Sequence, residues 1–221
     1  MPIQSSKLDS TEQHPHARHL PQLPPGRRPS PATRPIQRHH RPAPDRLDSS
    51  CNAKGTLNLA PYSFFNAFNY TPPIIGFSSQ GRKDSLRNIE ATGEFVWNLA
   101  TFDLAEAMNE SCRAVAAEVD EFALAGLTPL ASTQVAPPRV AQSPVSMECR
   151  CTQIVRLRDA AGQDTNGWLV LGEVVAVHIE ARLLVDGIYD TAAAAPILRG
   201  GGPADYFRIG AEQRFRMFRP A

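Results

Sequence analysis

The stretch "PPIIGFSSQGRKDSLRNIEATGEFVWNLA", residues 72–100, places a polar turn between two short apolar runs. The first run, Ile74–Phe77, follows two prolines and predicts a short buried strand. Asp84 is suited to cap a helix over Ser85–Ala91, because its carboxylate can accept hydrogen bonds from free amides of the first turn. The second run, Glu94–Ala100, predicts another strand. The order strand, turn, helix, strand is therefore the local pattern from which the fold can be derived.

The polar turn of this stretch carries groups that suit an anion. A helix start exposes unpaired N–H groups and the positive end of the helix dipole, and this combination favours phosphate binding. An ordinary polar turn explains the same residues, and neither the P-loop pattern GxxxxGK[ST] nor GxGxxG is present. The residues that form the candidate phosphate site are Ser78, Ser79, Arg82, Lys83 and Ser85.

The rest of the chain from Cys51 onward is dominated by strand-like segments. Thr56–Phe65 reads as a strand that bends at Pro61, and Ser143–Leu157 and Trp168–Gly187 are long runs rich in β-formers. Only short helices are predicted between them, and no regular βαβ units occur. This pattern predicts a mainly β fold, an antiparallel split β-barrel with short helices.

The net charge and the cysteines restrict the class of protein. The formal net charge is +1, so the composition gives no reason to expect a nucleic-acid or membrane partner. The four cysteines form no zinc pattern and read as free thiols, which predicts a reducing, cytoplasmic environment.

Residues 1–50 differ sharply in composition from the rest of the chain. They hold 10 of the 20 prolines and 5 of the 6 histidines, and they lack Phe, Trp, Tyr and Val. Such a segment buries too little apolar surface to offset its ordering entropy. We therefore predict a disordered Pro/Arg/His-rich segment over 1–50 and a folded domain over 51–221.

The segment Asn58–Ala100 closely resembles the flavin reductase-like family with the FMN-binding split barrel. Later segments fit the same family in the same order: "VDEFALAGLT", "PPRVAQSPVSMECR", "LVLGEVVAVHI" and "DGIYDT". The resemblance extends from Cys51 to about Tyr206. It implies a homodimer that binds FMN, takes electrons from NAD(P)H, and in some members serves a partner monooxygenase.

The resemblance also assigns site residues by position. It implies that Ser78, Ser79, Arg82, Lys83 and Ser85 hold the FMN phosphate. It places Ser63, Phe64, Phe65 and Asn66 along the isoalloxazine ring and ribityl chain, with Asn58 and Pro61 shaping the same wall. From the residues alone, Ser63 and Asn66 also fit a turn, and Phe64 and Phe65 also fit a core. No catalytic side chain is predicted, since hydride transfer to a flavin needs no acid–base residue.

The family's first barrel strand is not recognisable in this chain. Read one base out of phase from the second base of the Arg34 codon, with suitable synonymous bases, Arg34–Asp48 gives DPFNAIIAPRPIGW, which resembles that strand. We therefore predict that residues up to about Ser49 are an out-of-frame translation. Resequencing the locus tests this, because an uninterrupted frame without an insertion or deletion would contradict it.

The functional hypothesis from the sequence is an FMN-binding oxidoreductase of the flavin reductase type, which transfers hydride from NAD(P)H to flavin. The alternatives are a non-catalytic FMN-binding protein or electron carrier, and a defective product of a frameshifted gene.

Overall fold

The computed structural model describes residues 43–202 and 204–220, all of which lie in one compact unit. Most of the predicted disordered segment lies outside the described residues. The described strands are β1 Ala43–Pro44, β2 Arg46–Cys51, β3 Leu57–Pro61, β4 Phe65–Tyr70, β5 Pro73–Gln80, β6 Glu94–Leu99, β7 Pro129–Leu130, β8 Arg139–Val140, β9 Val145–Arg158, β10 Asp164–Ile179, β11 Leu184–Val185, β12 Ile188–Tyr189, β13 Ile197–Arg199 and β14 Tyr206–Arg208.

One large antiparallel sheet organises the fold. Its strand order is β3-β2-β6-β9-β10-β5-β4, so β3 and β4 form its two edges although they follow each other in the chain. A smaller sheet has the order β1-β13-β14, and β7 with β8 and β11 with β12 form two short pairs. The predicted mainly β, antiparallel fold is confirmed.

The large sheet curls until its far edge faces its centre. The rings of Phe65 on β4 and Trp97 on β6 lie 5.7 Å apart, although three strands separate β4 from β6 within the sheet. Phe77 on β5 meets Phe95 on β6 in the same interior, at 5.7 Å. The sheet therefore encloses a barrel-like core, and burial of these aromatic side chains is a main source of its stability.

The helices found in the described residues are short. They are α1 Asp84–Thr92, α2 Ala105–Glu110 and α3 Glu121–Leu124, with 3-10 turns at Phe102–Leu104, Ala181–Leu183 and Ala211–Gln213. Helix α1 ends at Gly93, whose φ of 74° gives a left-handed cap that donates its N–H to the Ile89 carbonyl at 2.8 Å.

Two local predictions differ from the structure. Lys83 is the N-cap residue of α1 and makes no side-chain cap, whereas Asp84 is the first helical residue and pairs with Arg87. The predicted Asp84 cap is therefore wrong, because an i,i+3 arginine on the same helix face attracts the carboxylate.

The predicted domain boundary before Cys51 is also displaced. Strand β2, Arg46–Cys51, lies inside the large sheet between β3 and β6, and all six of its residues are buried. The composition of residues 1–50 obscured this strand, because Arg46 and Asp48 look like solvent-exposed residues. The backbone of β2 nevertheless pairs with both β3 and β6. Without β2, the backbone groups of β3 and β6 that face it would have no hydrogen-bond partners.

Candidate functional site

A cleft of about 330 Å³ opens at the start of α1. Strand β3 forms one wall, the beginning of α1 forms the second, and the loop after α2 with the first residue of α3 forms the third. The lining residues are Asn58, Leu59, Ala60, Pro61, Lys83, Asp84, Ser85, Ser111, Cys112, Arg113, Ala114, Val115 and Glu121. Four of the predicted site residues, Asn58, Pro61, Lys83 and Ser85, thus meet in one cleft.

A buried hydrogen-bond network fixes the floor of the cleft. Asn58 Nδ2 donates to Ser85 Oγ at 2.9 Å and to Ser50 Oγ at 3.2 Å, and Asn88 Nδ2 donates to the same Ser50 oxygen. Asn58 and Ser85 are 6% and 1% exposed. Ser85 also hydrogen-bonds to the Tyr62 side chain, so Asn58 and Tyr62 together fix the position of its hydroxyl.

The amino end of α1 adds positive electrostatic potential. The N-cap residue Lys83 is extended (φ −80°, ψ 175°), and its side chain makes no capping hydrogen bond to the first turn of the helix. The helix dipole and uncapped N–H groups favour an anion at this end.

The two predicted phosphate-binding cations have different environments. Arg82 is exposed and makes an ion pair with Glu90, outside the residues that line the cleft. Lys83 lines the cleft, and none of the ion pairs found in the described part of the chain involves it. Lys83 is therefore the better placed of the two for an anion in the cleft.

Ser78 and Ser79 lie on opposite faces of β5. Ser79 is fully buried, and its Oγ donates to the Gly81 carbonyl at 2.8 Å, which fixes the turn before α1. Ser78 is half-buried, and its Oγ accepts from Gln80 Nε2 at 3.3 Å. The structure therefore places Ser79 in a supporting role for the turn and leaves the Ser78 hydroxyl near the surface.

The four residues predicted along the flavin ring follow directly after β3. Phe64 is 37% exposed, and Asn66 is exposed with its Oδ1 accepting from the Ala67 amide at 2.9 Å. Phe65 turns inward, where the Arg46 guanidinium lies 4.2 Å from its ring centroid. Ser63 is half-buried at the link between β3 and β4. Phe64, in the link between β3 and β4, and Asn66, on β4, are therefore both exposed.

The sequence profile of the "Flavin reductase like domain" matches residues 48–193. The chain belongs to the flavin reductase-like family. A protein of Halalkalibacterium halodurans is 32% identical over 185 residues, which cover 81% of this chain and 86% of that protein. The fold is the antiparallel split barrel of this family.

Two solved structures are similar to this chain at 28% identity. Nitrilotriacetate monooxygenase component B from Bacillus cereus has a TM-score of 0.82 and covers 91% of this chain and 100% of its own. The Pseudomonas fluorescens 2-nitrobenzoate 2-nitroreductase has a TM-score of 0.72 and covers 84% of this chain and 88% of its own. Among the described residues, no helix has both the length and the apolar character needed to cross a bilayer.

Sequence reasoning missed one wall of this flavin reductase-like cleft. The loop Ser111–Val115 and Glu121 line it, although neither carries a recognisable binding pattern. Glu121 begins the short helix α3, which Asp120 caps by accepting from the Phe122 amide at 2.9 Å. What brings this helix to the cleft is its packing against β3, 62 residues earlier in the chain, which no local pattern encodes.

Proposed function

We propose that this protein is an FMN-binding oxidoreductase of the flavin reductase type that accepts hydride from NAD(P)H. The observation that carries the proposal is the start of α1, where Lys83 makes no capping hydrogen bond, in a cleft lined by Lys83 and Ser85. These groups suit a phosphate monoester, because a cation, a hydroxyl and the first amides of a helix belong to one cleft wall.

In this proposal, the side chains and amides of the protein bind and orient the cofactor. Lys83, Ser85 and the first amides of α1 bind the phosphate, and Asn58 orients the Ser85 hydroxyl. Phe64 and Asn66 offer an apolar face and an amide to the ring system. Bound FMN supplies the two-electron chemistry, since the protein contributes position and electrostatics.

The similar solved structures support two kinds of electron acceptor. One is named as a component of a monooxygenase and the other as a reductase of a nitroaromatic compound. We propose that reduced flavin is passed to a partner monooxygenase, with direct reduction of a small molecule as the alternative acceptor route.

The purified protein should show the visible absorbance of a flavin after addition of FMN, and it should oxidise NADH or NADPH when FMN is in excess. Absorbance at the nicotinamide band measures the second reaction, and parallel titrations with riboflavin and FAD measure the choice of flavin. A folded sample that binds no FMN would contradict the proposal. Binding without NAD(P)H oxidation would instead support the alternative, a non-catalytic FMN-binding protein or electron carrier.

We also propose a cytoplasmic homodimer. The sheet edge β4 presents Phe68 and Tyr70 to solvent at 52% and 95% exposure, and a second copy could cover this apolar surface. The described cysteines are all free, which fits a reducing cytoplasm. Light scattering during gel filtration measures the mass, and a monomer at all concentrations would contradict the dimer.

The reading-frame proposal predicts a large difference between two versions of the protein. A repaired version, in which Arg34–Asp48 is replaced by the shifted-frame reading DPFNAIIAPRPIGW followed by a closing isoleucine, should be more stable and should bind FMN more tightly than this chain. The reason is that β2 carries Arg46 and Asp48 buried in the barrel. Flavin absorbance after purification and thermal unfolding measure the difference. Equal FMN loading of both versions would contradict the proposal, and a loss confined to this chain would support a defective gene product.

A further inference from the structure

Glu121 is a buried carboxyl group in the wall of the α1 cleft. It is the first residue of α3, it is 8% exposed, and it lines the cleft together with Lys83 and Ser85. A carboxyl group is costly to bury unless it is hydrogen-bonded, so its contacts indicate what keeps it there.

The contact that Glu121 makes is with the edge of the large sheet. Its Oε2 accepts from the Leu59 amide at 3.2 Å. Because β3 is an edge strand, the amide of Leu59 that points away from β2 has no neighbouring strand to bond with, and Pro61 has no amide to offer. The Glu121 carboxyl therefore supplies the acceptor that a neighbouring strand would otherwise provide for the amide of Leu59, the residue next to Asn58.

This hydrogen bond helps to hold the β3 wall of the cleft in place. Asn58 joins the same strand to α1 through Ser85, so β3 is held by Glu121 on one side and by the helix on the other. Loss of the Glu121 bond would leave the Leu59 amide buried and unpaired and would free the wall that carries Asn58.

The charged groups near Glu121 lie at the start of α1, beside it in the chain and in the loop after α2, whereas β3 carries none. Asp84 at the start of α1 and Asp120 beside it are acidic, whereas Lys83 and Arg113 are the cations of the cleft. Burial raises the pKa of the Glu121 carboxyl, the hydrogen bonds from its own amide and from Leu59 oppose the rise, and the two aspartates add to it. The neutral form is therefore favoured at low pH, and a negative charge appears in the cleft wall as the pH rises.

We propose that Glu121 is a positioning residue that holds the β3 wall of the cleft and whose ionisation weakens binding of a phosphate-bearing ligand. The inference rests on the proposed function, because it takes FMN as the ligand. Two parts can be measured separately: the hydrogen bond to Leu59, and the charge that repels the phosphate.

The experiment compares FMN affinity, from quenching of flavin fluorescence, in the wild-type protein, Glu121→Gln and Glu121→Ala between about pH 5 and about pH 8. Glutamine keeps an oxygen for the Leu59 amide and carries no charge, so its affinity should exceed that of the wild type by roughly threefold at the higher pH, and this difference should shrink as the pH falls. Alanine removes both the acceptor and the charge, so it should weaken binding about tenfold at the lower pH and by less at the higher pH, where loss of the negative charge partly offsets loss of the hydrogen bond. The phosphate of FMN itself titrates near pH 6, but it does so equally in all three proteins.

Riboflavin and a neighbouring glutamate provide the controls. Riboflavin has no phosphate, so the wild type and Glu121→Gln should bind it equally at both pH values. Glu118→Gln changes an exposed carboxylate outside the cleft and should leave FMN affinity unchanged.

The outcomes separate the inference from the proposed function. A folded wild type that binds no FMN overturns both. A wild type that binds FMN with the same affinity as Glu121→Gln at every pH overturns the charge effect, and equal affinity of Glu121→Ala at the lower pH overturns the positioning role. If Glu121→Ala does not fold, the comparison of the wild type with Glu121→Gln decides, since a purely structural role predicts the same pH dependence of FMN affinity in both proteins.

Discussion

Replacing the buried ion pair of β2 with apolar residues, Arg46→Met together with Asp48→Leu, should raise the free energy of unfolding by about 1–4 kcal/mol. Arg46 is fully buried and Asp48 is 1% exposed. Moving both charges out of water carries a desolvation penalty that their mutual attraction only partly offsets. Side chains of similar volume remove that penalty and keep the packing.

The geometry of the ion pair shows why its contacts offset the desolvation penalty only in part. Arg46 Nε donates to Asp48 Oδ1 at 2.8 Å and Nη2 donates to Oδ2 at 3.0 Å, and the guanidinium lies 4.2 Å from the centroid of Phe65 and 5.0 Å from that of Phe77. In the described part of the chain, the remaining nitrogen, Nη1, has no hydrogen-bond partner. Burial raises the pKa of the Asp48 carboxyl, and the charge and hydrogen bonds of Arg46 oppose this rise only in part.

Replacing only one member of the ion pair should lower the free energy of unfolding. Asp48→Leu alone leaves the guanidinium buried without its partner and should lower the free energy of unfolding by about 3–5 kcal/mol. The exposed pair of Arg82 and Glu90 is a matched control, and replacing both members with glutamine should change stability by about 0–1 kcal/mol. Urea unfolding followed by fluorescence of Trp97 and Trp168 measures all of these changes. A double variant less stable than the starting protein would show that the ion pair is a stabilising part of the core.

The same pair bears on the reading frame of the gene. The shifted-frame reading places glycine at position 46 and an apolar residue at position 48, and so removes both charges from the barrel interior. The burial of Arg46 and Asp48 in the strand that carries the unusual composition is the structural observation that supports the frameshift proposal. The double variant carries methionine and leucine rather than glycine and isoleucine, so it isolates the cost of burying the two charges.

Neutralising Lys83 should weaken FMN binding by roughly tenfold to a hundredfold, whereas neutralising Arg82 should change it by less than about threefold. Lys83 lies in the cleft beside the start of α1, and Arg82 is held by Glu90 on the exposed side of the helix. A charge-assisted contact to a phosphate is lost only in the first case. Calorimetric or fluorescence titration of Lys83→Gln and Arg82→Gln with FMN measures the difference.

Riboflavin distinguishes a phosphate contact from a general loss of structure. Both variants should bind riboflavin as the wild type does, because it lacks the group that Lys83 contacts. Equal weakening by the two variants would mean that Arg82 leaves Glu90 to reach the ligand. No weakening by either variant would show that the start of α1 does not hold the phosphate, and the proposed function would lose its main support.

Local patterns predicted the elements around the cleft well. The helix expected over Ser85–Ala91 is found as Asp84–Thr92, and the strand expected over Glu94–Ala100 is found as Glu94–Leu99. These elements depend on neighbouring residues in the chain, through apolar runs, turn residues and the glycine that ends the helix. The prediction for β2 failed, because burial of a charged pair contradicts the usual distribution of such residues.

The sequence by itself determined the antiparallel β architecture, the position of α1 and the family to which the chain belongs, because each depends on residue patterns within short segments. Only the tertiary structure decided that Lys83 rather than Arg82 faces the cleft, that Phe65 turns into the barrel, and that Glu121 closes the edge at Leu59. These outcomes depend on the curl of the sheet and on the docking of α3 against β3. Such contacts join residues far apart in the chain, and their geometry is set by packing of the whole domain rather than by any local preference.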